Sequence, residues 1–390
     1  MDFWFHQSFD FQSRTRIVFG PGKIESIADL AKECGMTRIL VVSDPGLVRA
    51  GHVERALNLL KAGGLEAECH TSVHQNPTSE DVDACVAQAK AFEIDGFVGL
   101  GGGSSLDTAK GCNFVLTNGG TMKDYWGYGK ATKPLLPLIA VPTTAGTGSE
   151  CQSYALIADK VTHQKMACGD PKAAARVALL DPELTLTQPS MVTADTGMDT
   201  LGHAVEAAVT LKGHSLSRMF AFQSFLLTHF NLSKVLENPM DLDARGGMQV
   251  GAALGGMAIE SSMLGAAHSA ANPLTAHFDV IHGQAVGIML PKIVAFNAHD
   301  PRARAIYADL SRQAGLVNPS DNASHAVTRL IERLETLLRS AGFPYQLRDH
   351  GVQASDLEKL SVEASHQWTA QFNPRPIGIE DFQAIYGQAL

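Results

Sequence analysis

The segment that most restricts the fold of this chain is DGFVGLGGGSS, residues 95–105. An apolar run the length of a strand passes directly into three glycines and then into a helical stretch over about 106–115. A strand that is apolar at nearly every position has no polar face to offer water, so it belongs inside a sheet covered on both sides. The same signals recur along the first half of the chain. Residues 38–43 read as a β-branched strand ending at Asp44, 53–62 as a helix, 67–71 as a short strand and 135–141 as another. Ser79 is expected to cap a helix that reaches Phe92, with Glu80 and Asp81 in its first turn. Such alternation predicts a parallel α/β sheet.

From about Pro189 the strand signals vanish, and 219–227 and 323–341 read as helices. Residues 247–271 are rich in Gly, Ala and Ser, which suits closely packed buried helices. The change falls near Leu179–Pro182. The expected division is therefore an α/β domain over residues 1–182 and an all-helical domain over 183–390.

Composition narrows the functional classes. The 390 residues are 45 % hydrophobic and 18 % charged, as in ordinary globular chains. Acidic residues outnumber basic ones by 40 to 31, and no Lys/Arg-rich run is present, which argues against a nucleic-acid or anionic-membrane partner. The six cysteines form no C-x-x-C pair and read as reduced, mostly buried thiols of a cytoplasmic protein. Met1–His6 has no secretory pattern, and the small apolar stretch 251–259 is too short to span a bilayer, so a soluble protein is expected.

Two loops carry dinucleotide chemistry. Gly101–Gly103 lets a backbone approach a pyrophosphate, and the helix behind it offers free N–H groups, although Ser104 stands where a G-x-G-x-x-G fingerprint needs its third glycine. PTTAGTGSE (142–150) also follows a strand and is dense in hydroxyls and glycines. Each alone reads equally as a polar turn; two after successive strands point to the ligand-binding edge of an open α/β sheet. Asp44 suits a ribose diol and would repel the 2′-phosphate of NADP, but Asp44-Pro45-Gly46 is also good turn chemistry.

A metal set is visible in the second half. On a helix, Asp199 and His203 project from one face. His268 and His282 follow, with Asn272-Pro273 expected to break the helix between them and His282 expected at the mouth of a buried helix. One Asp and three His suit Fe2+ or Zn2+ with a position left for a substrate oxygen. The chain holds 15 histidines, and His52, His70, His74, His163, His214, His229, His299, His325 and His350 read as surface or satisfied core residues. Glu206 reads either as a partner of a ligand histidine or as a plain polar helix residue.

GGGSSLDTAK (101–110), PTTAGTGSE (142–150), MDTLGHAVEA (198–207) and GAAHSAANPLTAHFDVIHGQAVGIMLP (265–291) together resemble the iron-containing, group III alcohol dehydrogenase family. The resemblance is to lactaldehyde reductase-like or 1,3-propanediol dehydrogenase-like members, and it runs from Phe19–Gly22 to Asn373–Arg375. It implies a dehydroquinate synthase-like fold, with an α/β nucleotide-binding domain, an all-α domain and an active site in the cleft between them. It implies metal ligands at Asp199, His203, His268 and His282. Its cofactor contacts match Asp44, Asn76, Gly102, Gly103, Ser104, Thr143, Thr144, Thr147 and Ser149, and more weakly Lys165. NAD is expected as cofactor, with NADP possible, and a homodimer as the assembly. Many members carry a further histidine four residues after the third ligand, where this chain has Asn272; His277 is not a substitute for it.

The implied reaction is hydride transfer between a small primary alcohol or diol and NAD, with the ion as Lewis acid. A zinc glycerol dehydrogenase-like polyol oxidoreductase is the closest alternative. A dehydroquinate synthase-like lyase would need a basic pocket that the second half lacks, and a non-catalytic nucleotide-binding relative would not need the intact ligand set.

Overall fold

The computed structural model describes residues 8–161 and 164–390. Met1–His6 and His163, which carried expectations from sequence, lie outside them. The described chain divides into two units, residues 12–188 and residues 189–390, with residues 8–11 grouped with the second.

Among the described residues the first unit holds nine strands. They are β1 (Arg16–Phe19), β2 (Arg38–Val42), β3 (Glu66–His70), β4 (Gly96–Gly101), β5 (Gly127–Tyr128), β6 (Leu138–Pro142), β7 (Tyr154–Ala158), β8 (Lys165–Gly169) and β9 (Val177–Leu180). Six of them form one sheet in the order β1-β9-β6-β4-β2-β3, every pair parallel. Helices α1 (Ile27–Glu33), α2 (Pro45–Arg49), α3 (His52–Ala62), α4 (Ser79–Phe92) and α5 (Gly103–Asn118) connect the strands.

The apolar strands are buried on both faces because successive side chains alternate sides. Leu40, Phe97 and Leu138 pack with Leu106, Phe114 and Ile157. Val41, Val98 and Ile139 pack with Ile27, Leu30 and Leu60 on the other side. Each such side chain contributes roughly 1.5–3 kcal/mol by leaving water. Parallel pairing puts the carboxyl ends of β2, β3, β4 and β6 along one edge of the sheet, and the loops singled out from sequence leave from that edge.

Three local expectations are corrected. The cap of α4 is Thr78, one residue earlier than expected, in extended conformation with its N–H held by Asp81 Oδ2 at 2.7 Å. β6 starts at Leu138 rather than at 135, since Pro134 and Pro137 have no N–H for a ladder. A second sheet, β5-β8-β7 with β7 and β8 antiparallel, accompanies the parallel one; its short, partly exposed strands give only a weak sequence signal.

Among the described residues the regular elements of the second unit are all helices: α6 (Ser190–Val209), α7 (Ser215–Glu237), α8 (Leu242–Ser261), α9 (Ala266–Phe278), α10 (His282–Asn297), α11 (Pro301–Gln313), α12 (Ala323–Ser340), α13 (Leu357–His366) and α14 (Ile379–Ala389), with short 3-10 turns between some of them. Gly247, Gly251 and Gly255 of α8 lie against Asn231, Thr228 and Ser224 of α7, so the glycine-rich run does serve close packing. The run is not one helix, however: α8 and α9 meet at 106°. Nor does Pro273 end α9, which continues to Phe278. Neighbouring groups hold that segment, with Tyr386 Oη donating to Ala270 O at 2.7 Å and the Ser269 and Thr369 hydroxyls 2.7 Å apart. Phe9 stacks on His214, ring centroids 4.6 Å apart. Among the described residues no single helix is long and apolar enough to cross a membrane.

Candidate metal centre and cofactor loops

α6 is buried from Thr196 to Val209, and its residues 195, 199, 203 and 206 recur at helical spacing on one face. That face carries Asp195, Asp199, His203 and Glu206. α9 and α10 bring their first turns to it: His268 is the third residue of α9 and His282 the first of α10. Asp199 Oδ1 lies 3.4 Å from His203 Nε2, 3.2 Å from His268 Nε2 and 3.6 Å from His282 Nε2. The ligand atoms of Asp199, His268 and His282 all lie within 4.8 Å of one another, a grouping that fits one metal ion. The His203 and His268 rings stack, centroids 5.0 Å apart.

Two further carboxylates orient the ligands. Glu206 accepts from the Ala267 backbone N–H at 2.5 Å and from His268 Nδ1 at 2.5 Å. Fixing the proton on Nδ1 leaves Nε2 of His268 as the electron-pair donor. Sequence left Glu206 open, and the geometry decides for the partner role. Asp195, which sequence reasoning missed although it stands one turn before Asp199, accepts from Gln284 N at 3.2 Å and from Gly283 N, so it caps α10 behind His282. A Cβ on Gly283 would lie 1.9 Å from Asp195 O, so only glycine lets α10 start this close to α6.

The charges are mutually supporting. Burial would raise the Asp199 pKa, but His203, His268 and His282 hold it well below the usual carboxylate range. Burial opposes charge on His268, yet Glu206 and Asp199 push its pKa up to about 9, so a metal ion would bind Nε2 by displacing the proton it shares with Asp199. Asp195 is pushed up to about 6, by burial and then by the Asp199 charge. An ionised carboxylate with imidazole Nε2 atoms turned to one of its oxygens is a donor set for Fe2+ or Zn2+. Glu206→Gln leaves one acceptor for two donors, and is expected to weaken Fe2+ or Zn2+ binding about 10–100-fold in a chelator competition titration; unchanged affinity would contradict the orienting role.

Four other histidines are engaged elsewhere. His214 caps α7, His229 Nδ1 accepts from Arg333, and His74 pairs with Asp81. His277 pairs with Glu363 at 2.7 Å. Asn272 donates from Nδ2 to Gln367 Oε1 at 3.0 Å.

In the first unit the two loops touch. Thr143 N donates to Gly101 O at 3.0 Å. A Cβ on Gly103 would meet Thr147 Cγ2 at 2.7 Å, so glycine is required for the second loop to lie against the start of α5. No side chain of the described residues caps that helix, and Gly102, Gly103 and Ser104 leave its first N–H groups to an anion. Thr143 and Thr144 follow β6 directly. Asp44 caps α2, its Oδ1 accepting from Gly46 N at 2.7 Å and Leu47 N at 3.2 Å, so the turn reading is met. Asn76 has a left-handed backbone, φ 53°, in the loop after β3. Ser149 is buried in a short 3-10 turn, and Lys165 is exposed at the start of β8. Free N–H groups, hydroxyls and open backbone are the donor chemistry a dinucleotide needs.

Comparison with known proteins agrees with this chemistry. Residues 14–182 match the family "Iron-containing alcohol dehydrogenase", and residues 193–390 match "Fe-containing alcohol dehydrogenase family, C-terminal". Alcohol dehydrogenase 4 of Schizosaccharomyces pombe is 32 % identical over 373 residues, covering 96 % of this chain and 87 % of its own. The NAD-dependent methanol dehydrogenase of Bacillus methanolicus is also 32 % identical, over 96 % of this chain and 97 % of its own. The crystal structure of a 1,3-propanediol oxidoreductase superposes with a TM-score of 0.95 at 30 % identity, covering 98 % of this chain and all of that one, 100 %. Ligand geometry, loop chemistry and full-length similarity lead to one assignment: the chain belongs to the iron-containing alcohol dehydrogenase family.

Proposed function

We propose that the chain oxidises small primary alcohols or diols with NAD+ and reduces the corresponding aldehydes, at a divalent ion held by Asp199, His203, His268 and His282. The observation that carries this reading is the convergence of three histidine Nε2 atoms on Asp199 Oδ1. When bound, the ion supplies Lewis acidity toward the substrate hydroxyl and NAD+ accepts the hydride.

The chain's own residues do the rest. Asp199 provides the negative charge of the ligand set, Glu206 fixes the His268 tautomer, and Asp195 anchors the turn that presents His282. Asn272 has no titratable group, so in this reading the alcohol proton leaves through water rather than through that side chain. For the cofactor, the uncapped start of α5 takes the pyrophosphate, and Thr143, Thr144 and Thr147 offer hydroxyls to phosphate and ribose oxygens. Asp44 takes the ribose diol with the oxygen not used in capping α2, and its charge disfavours NADP. Asn76 in the loop after β3, Lys165 at the start of β8 and Ser149 complete the cofactor set in this reading. In functional terms residues 1–182 serve the dinucleotide and 183–390 the metal and substrate, in a cytoplasmic homodimer; the six cysteines are all free thiols, as a reducing compartment keeps them.

The test is NAD+ reduction by enzyme loaded with Fe2+ or Zn2+, across short primary alcohols, 1,2- and 1,3-diols and glycerol. Highest kcat/KM with a primary alcohol or diol is expected. A clear preference for glycerol with Zn2+ would favour the polyol oxidoreductase, which the same ligand set also suits. No hydride transfer with any alcohol would contradict both.

A further inference from the structure

Lys110 is the most unusual cation of the first unit. It lies on α5 two turns beyond the glycine loop, it is a lysine, and its side chain is fully buried, 0 % exposed. Buried ammonium groups are costly unless every proton has an acceptor. Here Nζ donates to Ser149 O at 2.6 Å, to Ser149 Oγ at 2.7 Å and to Tyr154 O at 2.9 Å. Asp107, one turn earlier on the same helix and also buried, is 3.8 Å from Nζ. Its Oδ1 accepts from Ser149 Oγ at 2.6 Å and its Oδ2 from Leu156 N at 3.1 Å. The pair therefore grips the chain at 149, 154 and 156, immediately after the second loop, and fastens it to the helix that opens with the first.

The Ser149 hydroxyl is committed by this arrangement. Its single proton goes to Asp107 and one of its lone pairs receives Lys110. It has no proton to give a phosphate or ribose oxygen. Thr147, two residues before, is tied into the same turn: its Oγ1 accepts from Ser149 N at 3.2 Å, and its carbonyl accepts from Gln152 Nε2 at 2.6 Å.

We infer that Lys110 and Asp107 are positioning residues for NAD, a buried latch that holds the loop 142–150 against the start of α5, and that Ser149 serves the cofactor through this latch rather than by touching it. The inference rests on the reading that both loops bind the dinucleotide. Pre-setting both loops lowers the ordering cost of binding, so breaking the latch raises the dissociation constant for NADH and leaves the metal centre alone.

The experiment is calorimetric titration of NADH into metal-loaded wild type, Lys110→Met, Ser149→Ala and the double variant, with kcat at saturating NAD+ and bound metal measured on each. Lys110→Met is expected to weaken NADH about ten- to a hundredfold, the scale of hydrogen bonds to a charged group, with metal content unchanged and kcat little altered. The double variant is expected to bind no more weakly than Lys110→Met, because both changes break one unit. Affinity within about twofold of wild type in Lys110→Met, or losses that multiply in the double variant, overturns the inference, the second because Ser149 then touches NADH itself. A general structural lesion would lower metal content and kcat together, which also overturns it. Should Lys110→Met fail to fold around an uncompensated Asp107, Asp107→Asn/Lys110→Met removes both charges and is judged by the same criterion. Gly102→Val separates the two levels. If it leaves NADH affinity intact, the loops do not hold the dinucleotide and both readings fall; if it weakens binding and Lys110→Met does not, only the latch falls.

Discussion

Asp199→Ala is expected to strip the protein of stoichiometric metal and, with it, of NAD+ reduction. The reason is the asymmetry of the ligand set. Three imidazole Nε2 atoms lie 3.2–3.6 Å from one carboxylate oxygen, and that oxygen belongs to the only anion among the four proposed ligands. Its removal leaves neutral donors around a dication and takes away one of the two carboxylates that act on His268. Metal content measured by elemental analysis should fall to background. Turnover with a primary alcohol should drop about a thousandfold or more, since Lewis-acid stabilisation is worth several kcal/mol. The fold should persist, because Asp195 and Glu206 still fix the first turns of α10 and α9. Full metal retention in Asp199→Ala would refute the assigned set.

The second large effect concerns stability and lies in the other unit. Glu150 is 2 % exposed, and its Oε1 has no hydrogen-bond partner among the described residues. Burial pushes its pKa from 4.5 up to about 7, against the opposing pull of its own backbone N–H and of Lys110. Folding therefore favours the protonated acid. Its contribution is fully present below the unfolded pKa of 4.5 and is lost as pH rises through about 7. A shift of this size corresponds to roughly 3 kcal/mol at 1.36 kcal/mol per pKa unit. Glu150→Gln carries a neutral amide at every pH and should abolish that dependence. Wild type and variant are expected to have similar urea midpoints near pH 5. At pH 8 the variant should be the more stable, by ~3 kcal/mol. Parallel pH profiles would show that Glu150 is ionised and stabilised in the fold.

The α/β fold class was legible because its signals are local. Strands such as residues 96–101 are apolar along their whole length, and the helical half shows no competing strand pattern. Asp199 and His203 were legible for the same reason, a spacing that only a helix turns into one face. His268 and His282 needed the family resemblance, since nothing in their separation shows that α9 and α10 start side by side. Asp107, Lys110 and Glu150 were not legible as buried groups, nor Asp195 as the cap of α10. Each looks like an ordinary polar helix or loop residue until packing places it, and packing is not local. Pro273 misled in the opposite direction. Its local tendency to end a helix is real, but α14 and the turn at Thr369 hold α9 just before it, and Glu363 of α13 pairs with His277 beyond it.

The chain is an oxidoreductase acting on CH–OH groups, and the central claim is that a single ion at Asp199 makes it one. The most direct measurement is a metal titration of chelator-stripped protein, following NADH formation from a primary alcohol as Fe2+ or Zn2+ is added anaerobically. Activity should rise linearly from background and break at one ion per chain, with no rise in Asp199→Ala. Full activity in the stripped protein, or an equal rise in Asp199→Ala, would contradict the account.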